Sequence, residues 1–418
     1  MVRASALYLV IIIALVIGLI CSSLVAVAYL YRAEYQKKFR YDQLNHNLSS
    51  GINLLLTSAD SAYQKETKLS LFGVGNDSVS VQRKTWGIFD VGIVQAIIQR
   101  DTVYKIFSIA NAIDSAKWAA LYIADDDRPL SVSGKTRIEG NAFLPKAGIL
   151  TAYVDNKAYE GDKRLVIGKK LTSDKRLPAL DTNRLILLSS SFSINGNKQS
   201  LGDSLNCSFL KPTKVIDLAG KIYTLEKLSL KGNILLHSDT TLIIDSSVKM
   251  ENVIVFAKTI VIREGFKGTC QIFASDSISV GKNCRFSYPS CLGIIRSKST
   301  KFSPQAKIII GESGSINGTV FTWERTPAVL RPLIQLNKRD SVNGQIYAQD
   351  ALGLKDSCVI EGSIFSTRFL YRNSFTLYEN YLINVQLNSN QLSPYYLSSS
   401  LLPVSSKKKK ILQWIERN

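Results

Sequence analysis

The sequence predicts a mainly β protein: an N-terminal transmembrane helix extended by an amphipathic helix, then a β-rich body with a β-helix or solenoid in its C-terminal half. Three observations carry this. Residues 4–31 form an uncharged apolar run of 28 residues, against the roughly 20 that a helix needs to cross a bilayer core. Short runs rich in Ile, Val, Tyr and Phe follow from residue 86 onward, the composition of strands. A repeat of about 18 residues then runs through the C-terminal half.

The anchor comes first, over residues 1–57. A cleaved signal usually has an apolar core of about 7–15 residues before a small-x-small site. Ala26-Val27-Ala28 supplies such a site, but the apolar run before it is too long. A lipoprotein signal would use Cys21, yet Ile20 precedes it. An uncleaved helix is the leading reading, with a cleaved signal the alternative. Arg3 lies before it, and Arg32, Lys37, Lys38 and Arg40 lie after it, offset by Glu34. The positive-inside bias alone would keep the C-terminal side in the cytoplasm, but long domains translocate largely regardless of charge. The expectation is an inner-membrane, single-pass protein with an extracytoplasmic body.

Beyond the lipid, Tyr41, Leu44, Leu48, Ile52 and Leu55 recur at three- and four-residue steps, one face of a helix. Such a stripe must be buried on something: the chain's own body, or copies and partners. This half-embedded, half-amphipathic layout resembles the N-terminal helix of type IV pilins and pseudopilins, over about the first 57 residues. The run departs from that family in having no glycine cleavage site followed by an aromatic residue and a glutamate.

Residues 58–127 read as a β-rich meander domain. A polar, Ser-rich stretch with the turn signal Gly73-Val74-Gly75-Asn76-Asp77 leads to β-favouring runs at 86–98, 102–110 and 118–124. Asp125-Asp126-Asp127 ends them as a solvated turn, since no further carboxylates recur at calcium-loop spacing.

Residues 218–385 carry the repeats. Thr241-Leu242-Ile243-Ile244 leads to Val253-Ile254-Val255-Phe256-Ala257, and Thr259-Ile260-Val261-Ile262 leads to Cys270-Gln271-Ile272-Phe273-Ala274. Ile278-Ser279-Val280 opens a third copy. An apolar-x-Gly-x-apolar-aromatic signature follows as Ile316–Phe321 around Gly318, Val342–Tyr347 around Gly344 and Ile360–Phe365 around Gly362. Gly344 and Gly362 are 18 apart, whereas Gly318 and Gly344 are 26 apart. Short strands with Gly at the corners are what stacked coils need. The signature also occurs upstream as Ile138-Glu139-Gly140-Asn141-Ala142-Phe143, so residues 128–217 read as an early coil plus an irregular insertion. From about Lys221 to Arg368 these repeats resemble bactofilins, polymer-forming bacterial right-handed β-helix proteins.

Residues 386–418 form a basic tail or cap. Lys407-Lys408-Lys409-Lys410 precedes Ile411, Leu412, Trp414 and Ile415, which share one helical face. That pattern suits either an anionic membrane surface or a capping helix.

Chemistry is harder to find. Only His46 and His237 are available, and no Ser-His-Asp or Cys-His spacing emerges. Cys207, Cys270, Cys284, Cys291 and Cys358 follow the anchor without a C-x-x-C pair. That argues against zinc and for buried thiols, with one bridge among Cys270, Cys284 and Cys291 the alternative. Arg263, Glu264, Lys282 and Arg285 are charged coil residues and read as solvated outward positions. No catalytic, cofactor-binding or metal-binding residue is assigned, and no cofactor is expected.

Net charge is +19, which favours anionic lipid or glycan; no nucleic-acid module accompanies it. The expectation is a non-enzymatic, membrane-anchored structural or assembly protein of a bacterial envelope, such as a minor pilin-like or surface-machine component. Its partners would be the lipid bilayer and other membrane or envelope proteins. The alternatives are a membrane-tethered β-helix that binds or cleaves acidic polysaccharide, and a bactofilin-like cytoplasmic scaffold.

Overall fold

The computed structural model describes residues 2–59, 61–71, 73, 77–193, 202–218, 220–298 and 303–417. Val74, Gly75 and Asn76 of the turn signal lie outside them. The chain divides into two compact units: residues 1–84, 92–106 and 416–418, and residues 85–91 and 107–415.

The first unit begins with one continuous helix, α1 (Val2–Thr57). It is long and apolar enough to cross a membrane; its most apolar window has a mean hydropathy of 3.0 and is 0% buried. The stripe beyond that window behaves differently. Leu44, Leu48, Ile52 and Leu55 are buried, while Tyr41 is 54% exposed. They pack on the chain's own strands, and Gly51 sets how closely. A β-carbon there would lie 2.7 Å from methyls of Val79 and Val94, so only glycine lets the helix approach this near. The strands lie side by side in the order Thr67–Leu69, Asp77–Trp86, Phe89–Ile98 and Asp101–Ile113. The run at 86–98 is therefore not one strand. Trp86 closes one strand and Phe89 opens the next, because Gly87, at φ +63°, turns the chain between them.

A charged side chain closes α1. Arg83, 3% exposed, donates to the Ala59 carbonyl (2.7 Å), the Ser58 hydroxyl (2.9 Å) and the Leu55 carbonyl. The last carbonyls of a helix have no partner within it, and a cation at that end also complements the helix dipole.

The second unit is built on a closed sheet of mostly parallel strands. Each long strand pairs in parallel with one about a repeat further on: Val255 lies beside Ile272, Ile272 beside Leu292, Val320 beside Ile346, and Ile346 beside Ile364. These inward residues form columns that are 0% exposed. The 26-residue spacing arises where the chain leaves the sheet between Ser315–Glu324 and Leu333–Leu336. Register is regained at once, with Gly318 beside Gly344 and Gly344 beside Gly362.

The signature has a physical cause. Gly318, Gly344 and Gly362 have φ of +146°, +149° and +148°. At each, a β-carbon would run into the carbonyl of the residue stacked below: Ser290, Gly318 and Gly344. The aromatic position stacks too. Phe256 and Phe273 are 5.1 Å apart, Tyr347 and Phe365 6.1 Å, and Phe365 and Tyr122 5.6 Å. Gly293 occupies this column between Phe273 and Phe321, where the two rings leave no room for a side chain.

The upstream copy of the signature belongs to the same sheet, but at its other end. Leu121 pairs with Ile364, Ile138 with Leu387, and Ala142 with Leu121. Strands within 121–144 thus lie beside the last long strand of the sheet and not before its first. The chain then returns through α2 (Thr182–Ser190), capped by the Asp181 side chain on the Arg184 N–H (2.9 Å), to begin the stack at Ser204–Cys207. Arg184 itself is buried and pairs with Asp90 at 2.8 Å.

The tail differs from the helix that its pattern suggests. Ser405–Arg417 is a strand beside Asp101–Ile113. Trp414 packs edge-on against Phe107 at 5.5 Å, and Asn111 donates to the Ser406 carbonyl at 2.7 Å. Apolar residues at 411, 412, 414 and 415 fit a helix face, but an unpaired strand edge offered a full ladder of backbone partners.

Candidate functional site

The residues singled out in the sequence do not come together as reactive groups. Arg263, Glu264, Lys282 and Arg285 are all exposed. Arg263 pairs with Asp245 (3.1 Å) and Lys282 with Glu312 (3.8 Å), while Asn283 donates to Glu264 (3.3 Å). Arg263, Glu264 and Lys282 are thus exposed positions held by surface polar partners. His46 is exposed on α1. His237 is buried at the end of the strand Ile234–His237, with Nδ1 3.2 Å from Asp217 and Nε2 2.9 Å from the Phe192 carbonyl. Both ring nitrogens are thereby engaged in holding three segments together.

Asp125 is a correction. It is 4% exposed, and its Oδ1 accepts from the backbone N–H groups of Asp127 (3.1 Å) and Lys146 (3.3 Å). Asp126 takes Arg128 at 2.7 Å. The turn is structural, with only Asp127 of the three exposed. The five cysteines of the body are buried and unbridged. Burial pushes the thiols of Cys270 and Cys358 up to about 12, which keeps them protonated and inert. Among the described residues, no group of three or more His, Cys, Asp or Glu side chains could hold a metal.

The second unit does contain a cavity of about 500 Å³. Trp118, Asn141, Asn390, Tyr396 and Lys410 line it, with Ser389 and Ser393 between them. Asn141 follows the upstream signature glycine; its carbonyl accepts from Ala120 (2.8 Å) and its side-chain oxygen from the Lys169 N–H (3.2 Å). Tyr396 is buried against Tyr288, ring centres 5.0 Å apart, and burial raises its phenol well above the ordinary value. Lys410 is exposed at the rim. An indole face, side-chain amides, hydroxyls and one ammonium can hold a hydroxylated, anionic ligand. The lining holds no carboxylate pair, which general acid and base chemistry on a glycoside would use.

No protein-family model, curated protein or solved structure matches the chain.

The cavity residues come from five separate segments, around 115, 141, 168, 393 and 410, so no local motif points to them. Asn141 lies inside the signature Ile138–Phe143, where its neighbour Gly140 is the informative residue. Lys410 stood inside a lysine run, which disguised it as one of four equivalent charges.

Proposed function

We propose that the closed parallel sheet is a β-solenoid and that the chain is a non-enzymatic, single-pass structural or assembly protein of a bacterial cell envelope. Its helix would lie in the inner membrane and its body outside the cytoplasm. The observation that carries this reading is the change of character along α1. The helix is fully exposed where it is apolar all round, and it then buries one face on its own sheet without a break. A signal peptide has no need of such a weld, whereas an anchor that must transmit position to a body does. A long helix packed on a small sheet also supports the pilin-like reading, and stacked parallel turns support the bactofilin-like one. Where the body lies decides between them.

The test is extraction and accessibility in a bacterial host. Resistance to alkaline carbonate supports an anchor, and release into the supernatant overturns it. Digestion of the body in intact spheroplasts supports the extracytoplasmic placement. Protection until the inner membrane is breached overturns that placement in favour of a cytoplasmic scaffold. A thiol reagent on Cys358 would report nothing, since that side chain is 0% exposed.

The cavity favours a second reading, in which the body binds acidic polysaccharide. Polygalacturonate binding should then weaken as salt rises. It should also fall by about tenfold in Trp118→Ala and in Lys410→Ala, on the order of 1.4 kcal/mol for each. Unchanged binding in both variants would remove this reading.

A further inference from the structure

The face of α1 that carries Leu44, Leu48, Ile52 and Leu55 continues upstream through Tyr41, Lys38, Lys37 and Glu34, at the same three- and four-residue steps. There it is open. The tip of the hairpin between Phe89–Ile98 and Asp101–Ile113 faces it, leaving a cleft of about 610 Å³ within the first unit. Lys37, Lys38, Arg100, Tyr41 and Thr102 line its walls, with Leu44 and Val103 at its apolar floor. The tip is held in place: Gln99 takes φ +55° to make the turn, and Arg40 clamps Asp101 at 3.0 Å. With that pair neutral, three cations and Glu34 leave the cleft two positive charges (3 − 1). Among the described residues, Lys37, Lys38 and Arg100 have no ion-pair partner.

The height of the cleft follows from the helix. Tyr8 and Tyr29 are exposed and bracket 20 residues, or about 30 Å of helix, the thickness of a hydrocarbon core. Tyr and Trp concentrate at the two boundaries of that core. Tyr31 and Tyr35 extend the upper belt, also exposed. Lys37 then stands roughly 12 Å above Tyr29, and a lysine stem can reach back toward the lipid surface by several ångströms. Two ammonium groups and a guanidinium thus converge at the level of lipid phosphates, above an apolar floor.

The geometry points to a binding site for the phosphate headgroup of an anionic phospholipid, formed by Lys37, Lys38 and Arg100 between α1 and the hairpin tip. It rests on the reading of α1 as a membrane anchor. Arg100 offers a fork to two phosphate oxygens, and the lysines supply point charges. Glu34 at the membrane-facing side disfavours a second anion.

The test uses the full chain in nanodiscs of mixed phosphatidylglycerol and phosphatidylcholine, with bound lipid counted by native mass spectrometry after detergent release. The wild type should retain phosphatidylglycerol over phosphatidylcholine. The triple variant Lys37→Gln, Lys38→Gln, Arg100→Gln should lose that preference by about tenfold or more. Arg40→Gln, which only frees the hairpin tip, should weaken it while leaving all three cleft cations in place. An unchanged preference in the triple variant overturns the proposal. Displacement of the lipid by 10 mM inorganic phosphate would assign the site to a free anion, and would overturn it as well. Carbonate extraction of the same proteins reads the anchor separately. A chain that resists extraction but shows no lipid preference disproves the headgroup site alone, and one that is extracted disproves the anchor.

Discussion

At the scale of single residues, this body depends on glycines that carry backbone and not flexibility. Gly344 sits at φ +149° with its α-carbon against the Gly318 carbonyl. Gly344→Ala should cost roughly 2–4 kcal/mol, from the strained dihedral and the forced separation of two turns. Gly202→Ala, where nothing lies within 4 Å, should be nearly neutral. Urea unfolding of the two variants checks this, and equal midpoints would refute it. The glycine signature was legible in the sequence because every turn needs the same close approach, so the need recurs as a pattern. Asp340 left no such trace. It is 1% exposed, its Oδ1 accepts from the Gly314 N–H (2.8 Å) and its Oδ2 from the Asn337 N–H (2.6 Å). Burial nevertheless pushes its carboxyl up to about 7. An acid whose folded value is raised holds its proton longer in the native state. Its contribution is therefore full below 3.8 and is lost as pH rises toward about 7. The loss is on the order of 4 kcal/mol. Asp340→Asn removes the titration, so the stability gap between wild type and variant should narrow as pH rises over that window. A gap that stays constant would show that the site does not titrate there.

At the scale of elements, periodicity told more than propensity. Of the stripe from Tyr41 to Leu55, the four residues from Leu44 onward are buried and Tyr41 is exposed, because a helix on a sheet presents the same residues whatever it packs on. The tail failed the same test. Its four apolar residues satisfy a helix face, but Ser405–Arg417 found a strand edge 295 residues away, at Asn111, and no local pattern encodes a distant edge. What closes α1 also lies outside it, though nearer in sequence: Arg83 reaches back to the end of a helix that stops at Thr57. Arg83→Ala should leave the Leu55 carbonyl with only the Ser58 hydroxyl (3.2 Å) and the Ala59 carbonyl with only the Ala62 N–H (3.1 Å), at roughly 1–3 kcal/mol. Amide hydrogen exchange over the last turn of α1 should accelerate by tenfold or more, since about 1.4 kcal/mol already corresponds to a factor of ten. Exchange confined to wild-type rates would mean that the packing of Leu48 and Leu55 alone holds the helix end.

At the scale of the whole molecule, the order of strands in the closed sheet departs from their order in the chain. The repeat at 18 residues pointed to neighbours within 218–385, because strands there pair in parallel about one repeat apart. It could not show that the copy at Ile138–Phe143 stacks after the last turn instead of before the first, since both places offer the same partners. The consequence is a stack whose final turns are made from early chain. Strands within 121–144 pair locally with each other, with 149–151 and with 170–172, but among the described residues they join the long strands of the closed sheet only through Val359–Arg372 and Gln386–Asn388. Leu387 is the joint: it is 1% exposed and pairs with Ile360 on one side and Ile138 on the other. Leu387→Asp puts an unpaired carboxylate there, at a cost of several kcal/mol. Turns that stack on immediate neighbours are stabilised locally, so residues 204–354 should keep their resistance to limited proteolysis. Residues 118–172 should become cleavable, and fragments mapped by mass should divide at that boundary. If instead both segments are lost together, the stack unfolds as one cooperative unit and the late joint carries no separate stability.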